Sequence, residues 1–159
     1  MEVILAKSAG FCFGVNRAVS MVYAMLEEGK TVYTLGPIIH NPQVVTDLEK
    51  RGVVIVDETG EVPQGAVLVV RTHGVPAAVT QAIKERGLDC CDATCPFVSK
   101  IHQIVAKRSE GGDIVLIAGD PAHPEVRGIR GHCPGKSYVF NGVGQLEDLL
   151  RTYPEFSNA

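Results

Sequence analysis

Two of the five cysteines stand at turns where an apolar segment gives way to a helical pattern. Cys12 lies between Gly10 and Gly14, and Cys95 is followed by Pro96. A cysteine followed by proline at a strand-to-helix turn is a common setting for an iron–sulfur ligand, and helix N–H groups favour the thiolate. Two such turns, far apart in sequence, indicate one shared metal centre, although a cubane cluster needs at least three ligands.

The other three cysteines carry weaker signals. Cys90 and Cys91 are adjacent at the end of an apolar segment, so in a strand their side chains point to opposite faces; we interpret both as core packing. Cys133 follows His132 and is either a metal ligand or a loop residue. A zinc site formed by these two residues with Cys95 is an alternative, but the paired spacing typical of such sites is absent.

Three of the five histidines occupy equivalent positions. His40, His73 and His123 each follow an apolar segment and precede a proline that opens a helix. In open α/β sheets, ligands bind outside the carboxyl ends of the strands, and helix N-termini offer N–H donors to phosphate. The pattern therefore predicts a shared anion site. We interpret His102 and His132 as structural residues.

Acidic residues accompany two of these turns. Glu125 comes two residues after His123, where it is either a carboxylate that favours a helix dipole or a proton donor beside a substrate. The sequence is compatible with both roles for Glu125. Asp92 and Thr94 are expected to cap the helix that begins at Pro96.

Apolar segments alternate with amphipathic ones along the whole chain. The expected strands are residues 3–6, 31–35, 53–56, 66–70, 88–91, 114–118 and 138–140. The expected helices are residues 15–28, a segment opened by Asn41 as N-cap and Pro42, residues 76–87, 96–109, a segment opened by Pro124, and 143–151. This alternation predicts an α/β fold with mostly parallel sheets.

Composition narrows the functional classes. The chain has 159 residues, is 45% hydrophobic and 21% charged, and has a formal net charge of −3 with scattered lysines and arginines. A nucleic-acid partner calls for a basic face, so none is expected. No apolar run is long enough for a membrane span and no signal peptide is recognisable, which predicts a cytoplasmic protein with reduced cysteines.

The motifs together resemble one enzyme family. Residues 10–15 with Arg17, residues 40–41, 72–75, 92–96 and 123–126 match, in order and context, the 4-hydroxy-3-methylbut-2-enyl diphosphate reductases. This family performs the last step of the methylerythritol phosphate route to isoprenoids. The resemblance spans nearly the whole chain.

The resemblance implies a set of site residues. Family members hold a [4Fe–4S] cluster through three cysteines, of which two fall on Cys12 and Cys95, while the third is absent from this chain. The residues implied to contact the diphosphate are His40, His73 and His123. Glu125 matches the residue that delivers a proton, and it forms the implied catalytic pair with His123.

The resemblance also implies an architecture and a reaction. The family fold has three similar α/β lobes, so residues 1–95 correspond to a first lobe and residues 96–159 to an incomplete second lobe. Residues 1–13 would pack with the third lobe, which is otherwise absent. The implied reaction is a reductive dehydroxylation that yields isopentenyl and dimethylallyl diphosphate, with electrons from ferredoxin or flavodoxin. This chain alone is expected to hold a cluster poorly and to have little or no activity; the alternatives are a non-catalytic phosphate-binding module or a vestigial scaffold without a cluster.

Overall fold

Helices and parallel strands alternate along the chain. The computed structural model describes residues 2–153 and Phe156. Its elements, in order, are α1 Phe13–Glu27, β1 Val32–Leu35, α2 Pro42–Lys50, β2 Val54–Val56, a 3₁₀ turn Thr59–Glu61, β3 Val67–Val70, α3 Ala77–Glu85, β4 Asp89–Asp92, α4 Pro96–Glu110, β5 Val115–Ala118, α5 Pro124–Arg130, β6 Ser137–Phe140 and α6 Val143–Thr152. Every strand pairing is parallel. The predicted α/β class with parallel sheets is confirmed.

The chain divides into two compact units. The first consists of Met1–Thr72 and Leu88–Cys95, and the second of His73–Gly87 and Pro96–Ala159. Helix α3 therefore groups with the second unit, whereas the sequence placed it in the first lobe. The physical reason is that the start of α3 contacts the end of α5. The N–H of Ala77 donates to the carbonyl of Gly131 at 3.3 Å, and Gly131 packs directly against Pro76. The correspondence to family lobes stays a prediction.

A four-stranded sheet forms the centre of the first unit. The strand order is β2-β1-β3-β4, and β3 is buried along its whole length. Apolar, β-branched strands buried on both faces are typical of parallel sheets. The core cluster combines residues of α1, α2, the strands and the loops that join them, namely Ala18, Val22, Val32, Ile38, Ile39, Leu48, Val53, Val69 and Ala93.

The second unit is built around the parallel pair β5–β6. Helix α4 contacts α5 and β5, and α6 contacts β6. The buried hydroxyl of Ser109 accepts a hydrogen bond from the N–H of Gly135 at 2.7 Å. This bond fixes the end of α4 against the loop that leads into β6.

The predicted strand over residues 3–6 is wrong. The structure assigns no strand there, and Val3, Ile4 and Leu5 are 82%, 82% and 83% exposed. A strand is stable only when a neighbour accepts and donates its backbone hydrogen bonds. None of the six strands in the described chain pairs with this segment.

The signals for helix ends were more reliable. The Asn41 side chain accepts a hydrogen bond from the N–H of Val44 at 3.1 Å, and Pro42 is the first helical residue of α2, which confirms the predicted N-cap. Among the described residues, no helix combines the length and apolar character that crossing a bilayer requires.

Candidate functional site

Cys12 stands at the N-cap of α1 with its side chain exposed. Its carbonyl accepts from the N–H of Asn16 at 2.9 Å, and the Asn16 side chain donates to the carbonyl of Phe11 at 2.9 Å. These bonds hold the loop against the first turn of the helix. The thiol is therefore presented to solvent at the positive end of a helix dipole.

Cys95 ends a turn that is held in shape by hydrogen bonds of other side chains within the turn. The Asp92 carboxylate accepts from the N–H of Thr94 at 2.9 Å and from the Thr94 hydroxyl. The N–H of Cys95 donates to the carbonyl of Thr72 at 2.9 Å. Asp92 and Thr94 thus bond to each other and close the turn before α4. The sequence had predicted that these two residues cap α4.

The first turn of α1 lies against the Cys95 side chain. Gly14 is buried, and a Cβ built on it would lie only 2.7 Å from the Sγ of Cys95. Such a separation is too short for two non-bonded atoms, so only glycine leaves room for this thiol. Because Gly14 is two residues from Cys12, the helix that carries one predicted ligand makes space for the other.

Arg17 fixes the Cys95 turn from the same helix. Its guanidinium donates to the carbonyl of Thr94 at 3.0 Å and to the carbonyl of Asp92 at 3.1 Å. The sequence contained Arg17 within a motif but gave it no role, because these bonds join residues 75 and 77 positions apart. The signal that the sequence offered was the position of Arg17 beside the motif of residues 10–15.

Thr72 connects two of the site-bearing loops. Its N–H and its hydroxyl both donate to the carbonyl of Ile38, at 3.3 and 3.1 Å, while its own carbonyl accepts from Cys95. The loop that leads from Ile38 to His40 and the turn that ends at Cys95 are therefore tied to the same buried residue.

Two of the three predicted substrate histidines lie together in the second unit. The rings of His73 and His123 are edge to face, with centroids 5.6 Å apart. Both are half-buried. His40 is exposed and belongs to the first unit. That all three meet one anion stays a prediction.

His123 also serves as the N-cap of α5. Its Nδ1 accepts from the N–H of Glu125 at 3.2 Å, and its own N–H donates to the carbonyl of Asp120 at 3.0 Å. A neutral imidazole that accepts at Nδ1 carries its proton on Nε2. The half-buried Glu125 lies in the first turn of the same helix, where the dipole favours a carboxylate.

The two adjacent cysteines of β4 differ in burial. Cys91 is half-buried and packs against the core, as expected. Cys90 is exposed, so its assignment to the core is wrong: β4 is an edge strand of the sheet, and most of its residues are exposed. Desolvation of the thiol, with the nearby Asp92 carboxylate, still raises the pKa of Cys90 to about 11.

The remaining histidines and cysteine bond within the second unit. His102 is buried and stacks on His132 with centroids 4.1 Å apart. The Nδ1 of His132 lies 2.9 Å from the carbonyl of Gly128, and the Cys133 thiol donates to the carbonyl of Ile129 at 3.5 Å. Burial raises the pKa of Cys133. These contacts favour structural roles over zinc ligation.

Comparison with known proteins decides the family. The family described as LytB protein matches residues 3–156. The chain belongs to the LytB protein family. Within the LytB relatives, the chain is 46% identical over 151 residues to the 4-hydroxy-3-methylbut-2-enyl diphosphate reductase of Geobacter sp. (strain M21), covering 95% of this chain and 53% of the relative. It is 48% identical over 152 residues to the protein of the same name from Geobacter metallireducens, covering 95% and 52%.

Solved structures of LytB relatives share the fold. One, described as (E)-4-hydroxy-3-methyl-but-2-enyl diphosphate reductase, the terminal enzyme of the non-mevalonate pathway, superposes with a TM-score of 0.79 at 40% identity and covers 94% of this chain and 54% of its own. The E-1-hydroxy-2-methyl-but-2-enyl-4-diphosphate reductase from Plasmodium falciparum gives 0.82 at 31% identity, covering 89% and 45%. The chain spans about half the length of the curated LytB relatives it matches.

Proposed function

We propose that this chain is the cluster- and substrate-binding part of a 4-hydroxy-3-methylbut-2-enyl diphosphate reductase. The observation that carries the proposal is the match of relatives with that name to 95% of the chain, a range that contains all five motifs. The proposed net reaction consumes two electrons and two protons, breaks the allylic C–O bond, forms a C–H bond and releases water. The products are isopentenyl and dimethylallyl diphosphate.

Cys12 and Cys95 would hold a [4Fe–4S] cluster. The fit rests on two thiols at helix-opening turns and on the missing side chain of Gly14, which lets the Cys95 sulfur lie directly against α1. When bound, the cluster supplies electrons and an open iron that acts as a Lewis acid. Ferredoxin or flavodoxin is the proposed electron donor, in the cytoplasm.

The histidines would bind and orient the diphosphate. His123 accepts at Nδ1 from the helix backbone, so Nε2–H is its donor toward a phosphate oxygen. His73 lies edge to face beside it, and His40 is the third proposed donor. Several donors are required because a diphosphate carries about three negative charges, and charge-assisted bonds are the strong ones.

Glu125 would deliver a proton. Its backbone N–H is bonded to His123, so Glu125 lies in the first helical turn beside a residue proposed to bind the diphosphate. A general acid must lie within hydrogen-bond reach of the atom that it protonates, and the position of Glu125 near His123 supports this role.

The test is the iron and inorganic sulfide content of the chain after anaerobic reconstitution, with the visible spectrum. We expect weak iron–sulfur absorption in the parent chain, because two cysteines are fewer than a cubane cluster needs, and loss of that absorption in Cys12→Ser and in Cys95→Ser. Cys90→Ser is the matched control and should leave the spectrum unchanged. A parent chain without any iron–sulfur absorption would overturn the proposal and support the scaffold alternative.

A further inference from the structure

We infer that Arg17 is a positioning residue for Cys95, and that its guanidinium holds the Cys95 thiol in the orientation that metal binding requires. The inference rests on the proposed function, because it assigns a purpose to an arrangement around a proposed cluster ligand. Arg17 itself touches neither the thiol nor a substrate. It acts through the backbone of the turn that precedes Cys95.

The geometry of the guanidinium carries the inference. Arg17 donates to two carbonyls of one turn, those of Asp92 and Thr94, at 3.1 and 3.0 Å. Bonds from a charged donor are roughly twice as strong as neutral ones, and a planar fork that makes two of them also fixes orientation. A single lysine ammonium is a point donor and lacks this planar geometry.

The other hydrogen bonds of the turn do not connect it to α1, so the two Arg17 bonds, here called the Arg17 clamp, make that connection. The Asp92 carboxylate bonds inside the turn, and the Cys95 N–H bonds to Thr72. Those contacts give the turn its shape and tie it to the loop that follows β3, but neither joins it to α1. Arg17 supplies that connection, since its guanidinium donates hydrogen bonds from α1 to the carbonyls of Asp92 and Thr94.

The position of Arg17 on α1 explains why this connection matters. Cys12 caps this helix, Gly14 makes space for the Cys95 sulfur, and Arg17 follows one turn later. The helix thus carries one proposed ligand, contacts the second at Gly14, and holds the turn before it through Arg17. Burial raises the pKa of Cys91, and the positive charge of Arg17 partly offsets that larger increase by lowering the pKa.

The first experiment measures amide hydrogen exchange at Cys95 in the iron-free chain. We expect exchange about tenfold faster in Arg17→Gln, since two charge-assisted bonds are lost, and an intermediate rate in Arg17→Lys. Arg151→Gln, which removes an exposed cation from α6, is the control and should match the parent. The Leu68 amide of the sheet core reports whether the variants remain folded.

The outcome separates positioning from general stability. A Cys95 amide that exchanges at the parent rate in Arg17→Gln would overturn the inference. Equal acceleration at Cys95 and Leu68 would do the same, because it would show global destabilisation. Since no iron is present, this result is independent of whether the chain binds a cluster.

A second measurement follows the reconstituted chain. Iron loss to a chelator is expected to be several-fold faster in Arg17→Gln and partly restored in Arg17→Lys, with a changed electron paramagnetic resonance signal of the reduced cluster in the former. Unchanged iron loss and an unchanged signal would contradict the inference. A parent chain that takes up no iron refutes the proposed function instead, and the exchange result then decides the inference alone.

Discussion

At the residue scale, the surroundings of a cysteine affect its pKa even where the residue is exposed. Cys90 is exposed, yet desolvation and Asp92 raise its pKa to about 11. The thiolate is the reactive form, and a raised pKa makes that form scarce at neutral pH. An exposed cysteine in this chain is therefore not automatically a reactive one.

We expect Cys90 to alkylate slowly in the folded chain at pH 8 and to become reactive as the pH approaches 11. In urea, where the thiol returns toward its ordinary pKa of about 8.5, alkylation at pH 8 should be faster. The measurement is mass spectrometry of the peptide that carries Cys90 after timed iodoacetamide treatment. Equal rates in the folded and unfolded chains at pH 8 would show that the raised pKa is wrong.

The residue scale also shows where sequence reasoning reached its limit. The types and spacing of Cys12, Cys95 and Glu125 were enough to single them out. The Arg17 clamp could not be predicted, because its partners are backbone carbonyls that only the folded chain brings near. For Cys90, the strand was predicted but its exposure was not, since exposure depends on the strand's place at the edge of the sheet.

At the element scale, local signals predicted most of the structure. Asn41 and Pro42 gave the start of α2 because capping is a property of neighbouring residues. The buried strand β3 was readable as a continuous apolar segment. Residues 3–6 show the opposite case: the segment has strand-like composition, but its state depends on a partner that the described chain does not provide.

Helix α1 offers a test of how closely an element is fitted to its site. Gly14→Ala improves helix propensity by roughly a few tenths of a kcal/mol at this position near the helix start, but its new Cβ would lie 2.7 Å from the Cys95 sulfur. Overpacking typically costs about 1–3 kcal/mol, so we expect a net loss of unfolding free energy and weaker iron binding. The measurements are urea unfolding and iron content.

The matched control is Gly144→Ala in α6, where a new Cβ meets open space. We expect this change to stabilise the chain by a few tenths of a kcal/mol, since glycine is disfavoured within helices. If Gly14→Ala stabilised the chain as much as Gly144→Ala, the close fit around Cys95 would not exist.

At the scale of the whole molecule, the number of ligands limits what the chain can do. The sequence contains five cysteines, of which two are proposed cluster ligands. The others are Cys90, exposed on an edge strand, Cys91, packed against the core, and Cys133, bonded to α5. A cubane cluster held by two thiolates lacks at least one protein ligand.

We therefore expect this chain, assayed alone with a chemical reductant, to convert little or no 4-hydroxy-3-methylbut-2-enyl diphosphate. A reductase relative of full length, reconstituted in the same way, is the positive control. Product analysis by mass spectrometry gives the readout. Turnover comparable to that of the relative would show that two cysteines suffice.

The parallel sheets have a kinetic consequence. Tyr33 pairs with Val54, Val32 with Val67, Val67 with Asp89 and Val115 with Ser137, so each pairing joins segments that are 21 or more residues apart. The six described strands form no hairpin that could fold early, so the entropy of closing a long loop is lost before each pairing contributes stability. Folding should then be slow for a chain of this size, on the order of milliseconds to seconds. The apolar strand β3 is not fully paired until both β1 and β4 have joined it.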